Sequence, residues 1–193
     1  MVIAMKKEPL INVRPLKFIV WLFIASSIML FGGWTSGFIV SRASLLSEGE
    51  WLTFSLPGVF IVSTALIVLS SATMHWARMS AKKLQFNQAK LALWVTMALG
   101  IAFLACQLAG WARLTEMNMY FAGHVAGSYI YVISGFHGLH IIAGLGLLIS
   151  CLSGLYGNVA QVTRTLRLEV TSVFWHFIDI LWIYLYVFLL LNR

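Results

Sequence analysis

GFHGLHIIAGL (Gly135–Leu145) and WHFIDILWIYLYVFLL (Trp175–Leu190) are apolar runs that carry ionisable groups inside them. An ionisable side chain in hydrocarbon costs roughly 2.5–3.5 kcal/mol on insertion scales, so it needs a partner and marks a buried polar site. His137 with His140, and His176 with Asp179, are each spaced i,i+3, which sets each pair on one face of a helix. A run this long and apolar suits a helix that crosses a membrane.

Working outward, the 193-residue chain is 61% hydrophobic and 10% charged, well below the roughly 25% charged residues of a soluble domain. About 20 apolar residues cross a bilayer. Five stretches qualify, at about 16–40, 52–77, 91–112, 126–157 and 170–192. The expected fold is all-α: a single 1–193 domain, a polytopic bundle of five transmembrane helices. Pro57 is expected in the first turn of helix two, where proline costs little.

The net charge of +7 does not indicate nucleic acid, because the basic residues sit in short blocks between spans. Lys6, Lys7, Arg14 and Lys17 precede helix one. Arg78, Lys82, Lys83 and Lys90 cluster around the second connector, and Arg164 and Arg167 around the fourth. The first connector holds Arg42, Glu48 and Glu50, and the third Arg113 and Glu116. The bias puts the N-terminus in the cytoplasm and the C-terminus outside. The first span is too long for a signal-peptide core and is read as an uncleaved helix. Cys106 and Cys151 both fall within spans, which excludes a disulfide framework and a CxxC metal site.

Rows of small residues, Gly33 with Gly37 and Gly146 with Ser150 and Gly154, have the spacing that lets membrane helices approach closely. Asp179 falls near mid-membrane, with His176 its obvious first partner and His137 and His140 a second pair. Three uses are open: a hydrogen-bonded inter-helix cluster of His137, His140, His176 and Asp179, axial ligation of a b-type haem, or a proton relay. At the basic end of helix two, His75, Trp76, Arg78 and Lys82 are candidates for a lipid headgroup. No nucleophile–base set, phosphate loop or zinc pattern is present.

These strings carry a likeness. Ser134-Gly-Phe-His-Gly-Leu-His140, and Trp175-His-Phe-Ile-Asp-Ile-Leu-Trp182 with Tyr184 and Tyr186, resemble the hallmarks of subunit III of haem–copper terminal oxidases. Weaker strings agree in order: Trp21–Ser26 and Met29–Gly33 in helix one, Leu56-Pro57 and Leu69–Ala77 in helix two, and Leu99–Leu104 with Gln107 in helix three. The resemblance implies a non-catalytic accessory subunit of a proton-pumping respiratory oxidase in a bacterial cytoplasmic membrane. It implies docking on the catalytic subunit I, with subunit II and a small subunit IV nearby. Haem and copper belong to the partners, none to this chain, and phospholipid is held in a cleft with helices one and two on one side. Ser27 stands where the family usually has a buried glutamate, and Gly110 where it often has another. A b-type haem cytochrome and a small transporter are the rival readings.

Overall fold

The computed structural model describes residues 13–51, 56–157 and 160–192. They form five helices: α1 (Val13–Glu48), α2 (Val59–Lys82), α3 (Phe86–Glu116), α4 (Val125–Tyr156) and α5 (Gln161–Leu191). All five are long and apolar enough to cross a membrane. Hydrocarbon offers no partner for backbone N–H and C=O groups, so each apolar run must satisfy its own backbone as helix. Lys6 and Lys7 lie outside the described residues.

Most helices overshoot the expected limits. At 36 residues α1 is about 54 Å long, against a hydrocarbon core of about 30 Å. Hydropathy marks where lipid ends, whereas the helix runs on until its backbone is turned. Three helices stop at the same device, a left-handed residue at Gly49 (φ 72°), Leu84 (φ 60°) and Asn118 (φ 60°). Around each, paired backbone bonds close the end, such as Glu50 N to Leu45 O at 2.9 Å, Gln85 N to Ser80 O at 3.0 Å and Met119 N to Leu114 O at 3.0 Å.

Glycine adopts this conformation freely and asparagine tolerates it, but leucine pays about 1–2 kcal/mol. Leu84→Gly is therefore expected to leave stability unchanged or raise it by up to about 1 kcal/mol, once glycine's extra chain entropy is offset. Thermal unfolding in detergent checks this. A clear loss would show that the exposed Leu84 side chain has a contact outside this chain.

Helix α2 starts later than expected, at Val59 rather than near 52. Residues 52–55 lie outside the described residues. Pro57 precedes the N-cap Gly58 instead of occupying the first turn, and its carbonyl accepts from Phe60 N at 3.0 Å. Proline disfavours the helical conformation in the residue before it, so the helix does not run back through Leu56. At the other connector the reverse holds. Helix α5 begins at Gln161 and takes Arg164, Arg167 and Glu169 into its first turns.

Helices α2, α3, α4 and α5 close a ring in which each packs on the next, and α1 lies outside it against α4 and α5. Among the described residues α1 does not pack on α2 or α3. This corrects the arrangement implied by resemblance, in which helices one and two form one side of a cleft. The two are instead separated by α5. Helix α1 buries a single stripe, Ile24, Ser27, Phe31, Thr35 and Phe38, and shows the rest of its apolar surface to lipid.

The ring is tightest at glycines other than the two rows noted in the sequence. The fully buried Trp175 ring of α5 enters the space left by Gly100 of α3 and Gly144 of α4, where an added Cβ would lie 2.9 and 3.0 Å from it. Phe60 of α2 covers Gly110 in the same way, at 2.9 Å. Of the expected rows, Gly33 and Gly146 face open space, Gly37 meets the Tyr129 hydroxyl, and Gly154 only approaches Arg167.

Candidate functional site: polar seams in the bundle

The four expected cluster residues are all in the bundle, but no two of them share a hydrogen bond. His140 belongs to the α1 contact. Its Nε2 lies 3.0 Å from Ser27 Oγ, and its Nδ1 donates to the Phe136 carbonyl at 2.7 Å. Further contacts hold α1 along its length: Lys17 with Glu169 at 2.9 Å, Thr35 Oγ1 with the Tyr184 hydroxyl at 3.1 Å, and Ser41 Oγ with the Tyr129 hydroxyl at 3.3 Å. A helix that buries so narrow a stripe is held in register by these polar contacts.

His137 sits elsewhere. Its ring is fully buried between Trp182, at 5.0 Å between centroids, and Phe103, at 5.6 Å, and neither of its nitrogens is hydrogen-bonded. Nearby polar groups are joined in pairs across the ring: Gln107 Nε2 donates to Ser63 Oγ at 3.3 Å and Trp182 Nε1 to Thr64 Oγ1 at 3.1 Å.

His176 and Asp179 lie on the α2–α5 seam. Helix α2 places hydroxyls at Ser70 and Ser71 against them. Trp175 Nε1 donates to Ser70 Oγ at 3.0 Å, and Ser71 Oγ lies 2.7 Å from His176 Nδ1. Asp179 is buried with neither carboxyl oxygen hydrogen-bonded. The expected His176–Asp179 pair does not form: His176 is hydrogen-bonded to Ser71 of α2 instead. No pattern in the sequence singled out Ser71 among the many small hydroxyls of α2.

Among the described residues no group of three or more His, Cys, Asp or Glu side chains is placed to hold a metal. Cys106 and Cys151 are free thiols, Cys151 with its sulfur 3.1 Å from Thr171 Oγ1.

At the end of the bundle carrying the basic connectors, Arg78 and Lys82 line a hollow of about 160 Å³ with Ala81, Thr165, Leu168 and Glu169. Glu169 also lines a neighbouring hollow of about 210 Å³ with Lys17, Val20, Trp21, Val170 and Val173. Of the four headgroup candidates, Arg78 and Lys82 are brought to this place, while His75 and Trp76 are exposed on α2 outside both hollows. Lys17 and Glu169 join the site from α1 and α5. Their signal in the sequence was only that each is a charge at the edge of an apolar span.

A family model described as cytochrome c oxidase subunit III matches residues 8–192. The chain belongs to the cytochrome c oxidase subunit III family. Curated relatives, each called cytochrome c oxidase subunit 3, include that of the sea urchin Paracentrotus lividus, 35% identical over 66% of this chain and 48% of the relative. That of Locusta migratoria is 31% identical over 86% of this chain and 65% of the relative. That of Latimeria chalumnae is 31% identical over 90% and 68%. The chain spans about half to two thirds of the length of these relatives. The subunit III hallmarks read in the sequence, the two histidine-bearing strings, lie in the middle of α4 and in the second half of α5.

Proposed function

We propose that this chain is the non-catalytic accessory subunit III of a proton-pumping respiratory terminal oxidase that reduces dioxygen to water. The observation that carries the reading is a subunit III match along nearly the whole chain, residues 8–192. The chemistry of the interior supports it, since His140, His176, Trp175 and Trp182 each make a hydrogen bond to a serine or threonine hydroxyl of another helix. Haem and copper would sit in the catalytic subunit I, with subunit II and a small subunit IV in the same complex. The membrane is a bacterial cytoplasmic one, N-terminus inside, and the orientation rests on the positive-inside charge bias.

The second part of the proposal is phospholipid binding beside α5, between the walls made by α1 and α2. Arg78 and Lys82 of α2 stand on one side and Lys17 of α1 on the other, with Glu169 of α5 lining the hollow at each, and an acyl chain would lie on the exposed Ile180, Ile183 and Val187 of α5. A basic residue near the surface is worth about 1 kcal/mol toward an anionic headgroup. Replacing both Arg78→Ser and Lys82→Ser should then lower retained phospholipid on the order of tenfold. Lipid extraction and mass spectrometry of the purified chain measure it, and unchanged lipid content removes these residues from the site.

Affinity purification of the tagged chain in mild detergent, with mass spectrometry and a reduced-minus-oxidised visible spectrum, tests the main reading. Co-elution with a large haem-bearing membrane subunit is the expected result. A chain that elutes alone and colourless refutes the accessory role, and a chain alone with haem bands makes it a cytochrome.

A further inference from the structure

Among the described residues α1 and α2 both pack on α5 but not on each other, so a strip of α5 between them stays uncovered. Glu169, Val173, His176, Ile180, Ile183 and Val187 follow one another along it at helical spacing, and none of them is buried. Lys17, Arg78 and Lys82 stand around the Glu169 end, in the two hollows that Glu169 joins. His176 lies further in, where the strip is otherwise aliphatic.

The two ring nitrogens of His176 are placed differently. Nδ1 lies 2.7 Å from Ser71 Oγ of α2. Nε2 has no hydrogen-bond partner among the described residues, and unlike both nitrogens of His137 it is not sealed off inside the protein. The neighbouring Ser70 hydroxyl bonds back to the Ile67 carbonyl, whereas the Ser71 hydroxyl bonds only the ring. The Ser71 hydrogen therefore goes to Nδ1, which leaves the hydrogen of a neutral imidazole on Nε2. An N–H turned toward hydrocarbon without an acceptor is costly, and acyl chains offer none.

Depth points to what supplies the acceptor. His176 is seven residues beyond Glu169 on α5, and Ser71 seven from Arg78 on α2, each about 10 Å inward of the basic end. Side chains on a helix lean toward its N-terminus, which on α2 carries Arg78 toward Ser71 and shortens that gap. With a phosphate on Arg78 and Lys82, the next polar level of a glycerophospholipid, its acyl ester carbonyls, falls toward His176.

We propose that His176 forms an ester subsite: Nε2–H donates to an acyl ester carbonyl of the phospholipid, with Ser71 as the positioning residue that holds Nδ1, so that the cleft prefers ester-linked over ether-linked lipid. The inference rests on the lipid binding proposed above.

The test is a competition on the full chain in dodecyl maltoside micelles, with whatever partners purify with it. Equal amounts of diacyl and dialkyl-ether phosphatidylglycerol with matched chains are offered, and retained lipid is measured by mass spectrometry. One neutral hydrogen bond corresponds to a preference for the ester form on the order of fivefold in the unmodified chain. His176→Phe should bring the ratio to about one, His176→Gln, which keeps an N–H donor, should retain most of it, and Ser71→Ala should weaken it. Thr64→Val loosens the same α2–α5 seam and should leave the ratio unchanged. A ratio near one in the unmodified chain, which needs no variant to fold, overturns the ester subsite, as does an unchanged ratio in His176→Phe or an equal loss in Thr64→Val. Failure of the underlying reading looks different: the unmodified chain then retains neither lipid, and both proposals fall together.

Discussion

Gly110→Glu is expected to abolish accumulation of the folded chain. A Cβ at this position would lie 2.9 Å from Cζ of Phe60, whose buried ring is backed by Trp182 at 6.1 Å between centroids. Forcing atoms into such a place costs about 1–3 kcal/mol. The carboxyl would then be left among Phe60 and its neighbours without a partner, at a further cost of roughly 2.5–3.5 kcal/mol. Together these rival the whole stability of many domains, which is about 5–15 kcal/mol. Phe60→Ala removes the clash and should restore part of the yield in the double variant, read as the monodisperse fraction on gel filtration.

Ser27, the other position at which the resemblance implies a glutamate, should behave differently. Ser27 faces His140 Nε2 at 3.0 Å, so Ser27→Glu places its carboxyl beside a ring nitrogen and should accumulate close to the unmodified chain. Equal yields of the Gly110→Glu and Ser27→Glu variants would refute the distinction. At Ser27 a carboxyl would meet a ring nitrogen; at Gly110 an aromatic ring fills the space.

Trp175→Ala should be the most damaging truncation, at about 3–5 kcal/mol. In lipid the ring gains little by leaving its solvent, so its contribution is packing: it fills the gap between Gly100 and Gly144. Its removal also takes the Nε1 donor from Ser70. The two glycines supply the internal check. Gly100→Ala and Gly144→Ala should each cost about 1–3 kcal/mol while Trp175 is present, and clearly less once it is alanine, when only Leu145 at 3.2 Å and Ile178 at 3.1 Å still crowd the added carbon. Unfolding by increasing SDS in mixed micelles gives the four corners of each cycle. Additive costs would mean that the glycines are needed for something other than the ring.

Much of the architecture was legible without coordinates. Five spans, their order and the helical class follow from lengths of apolar sequence, because hydrocarbon accepts few other ways of satisfying a backbone. The helix ends were not legible, since Leu84 and Asn118 stop helices without being glycine. Nor was the placing of α1 away from α2, because a leucine that faces lipid reads the same as one that faces a helix. The histidines and Asp179 announced themselves as costly groups in apolar runs. Ser27 and Ser71, the partners of His140 and His176, did not, being hydroxyls in helices that hold many.

The amino-acid sequence by itself determined that this chain is a five-helix membrane protein of the subunit III kind with polar groups held in its interior, because each of those facts is local or periodic along the chain. Only the tertiary structure decided that Trp175 is wedged between Gly100 and Gly144, that Phe60 occupies the place above Gly110, and that Ser71 meets His176. Those are meetings of residues far apart in the chain, decided by which helix faces pack and how deeply.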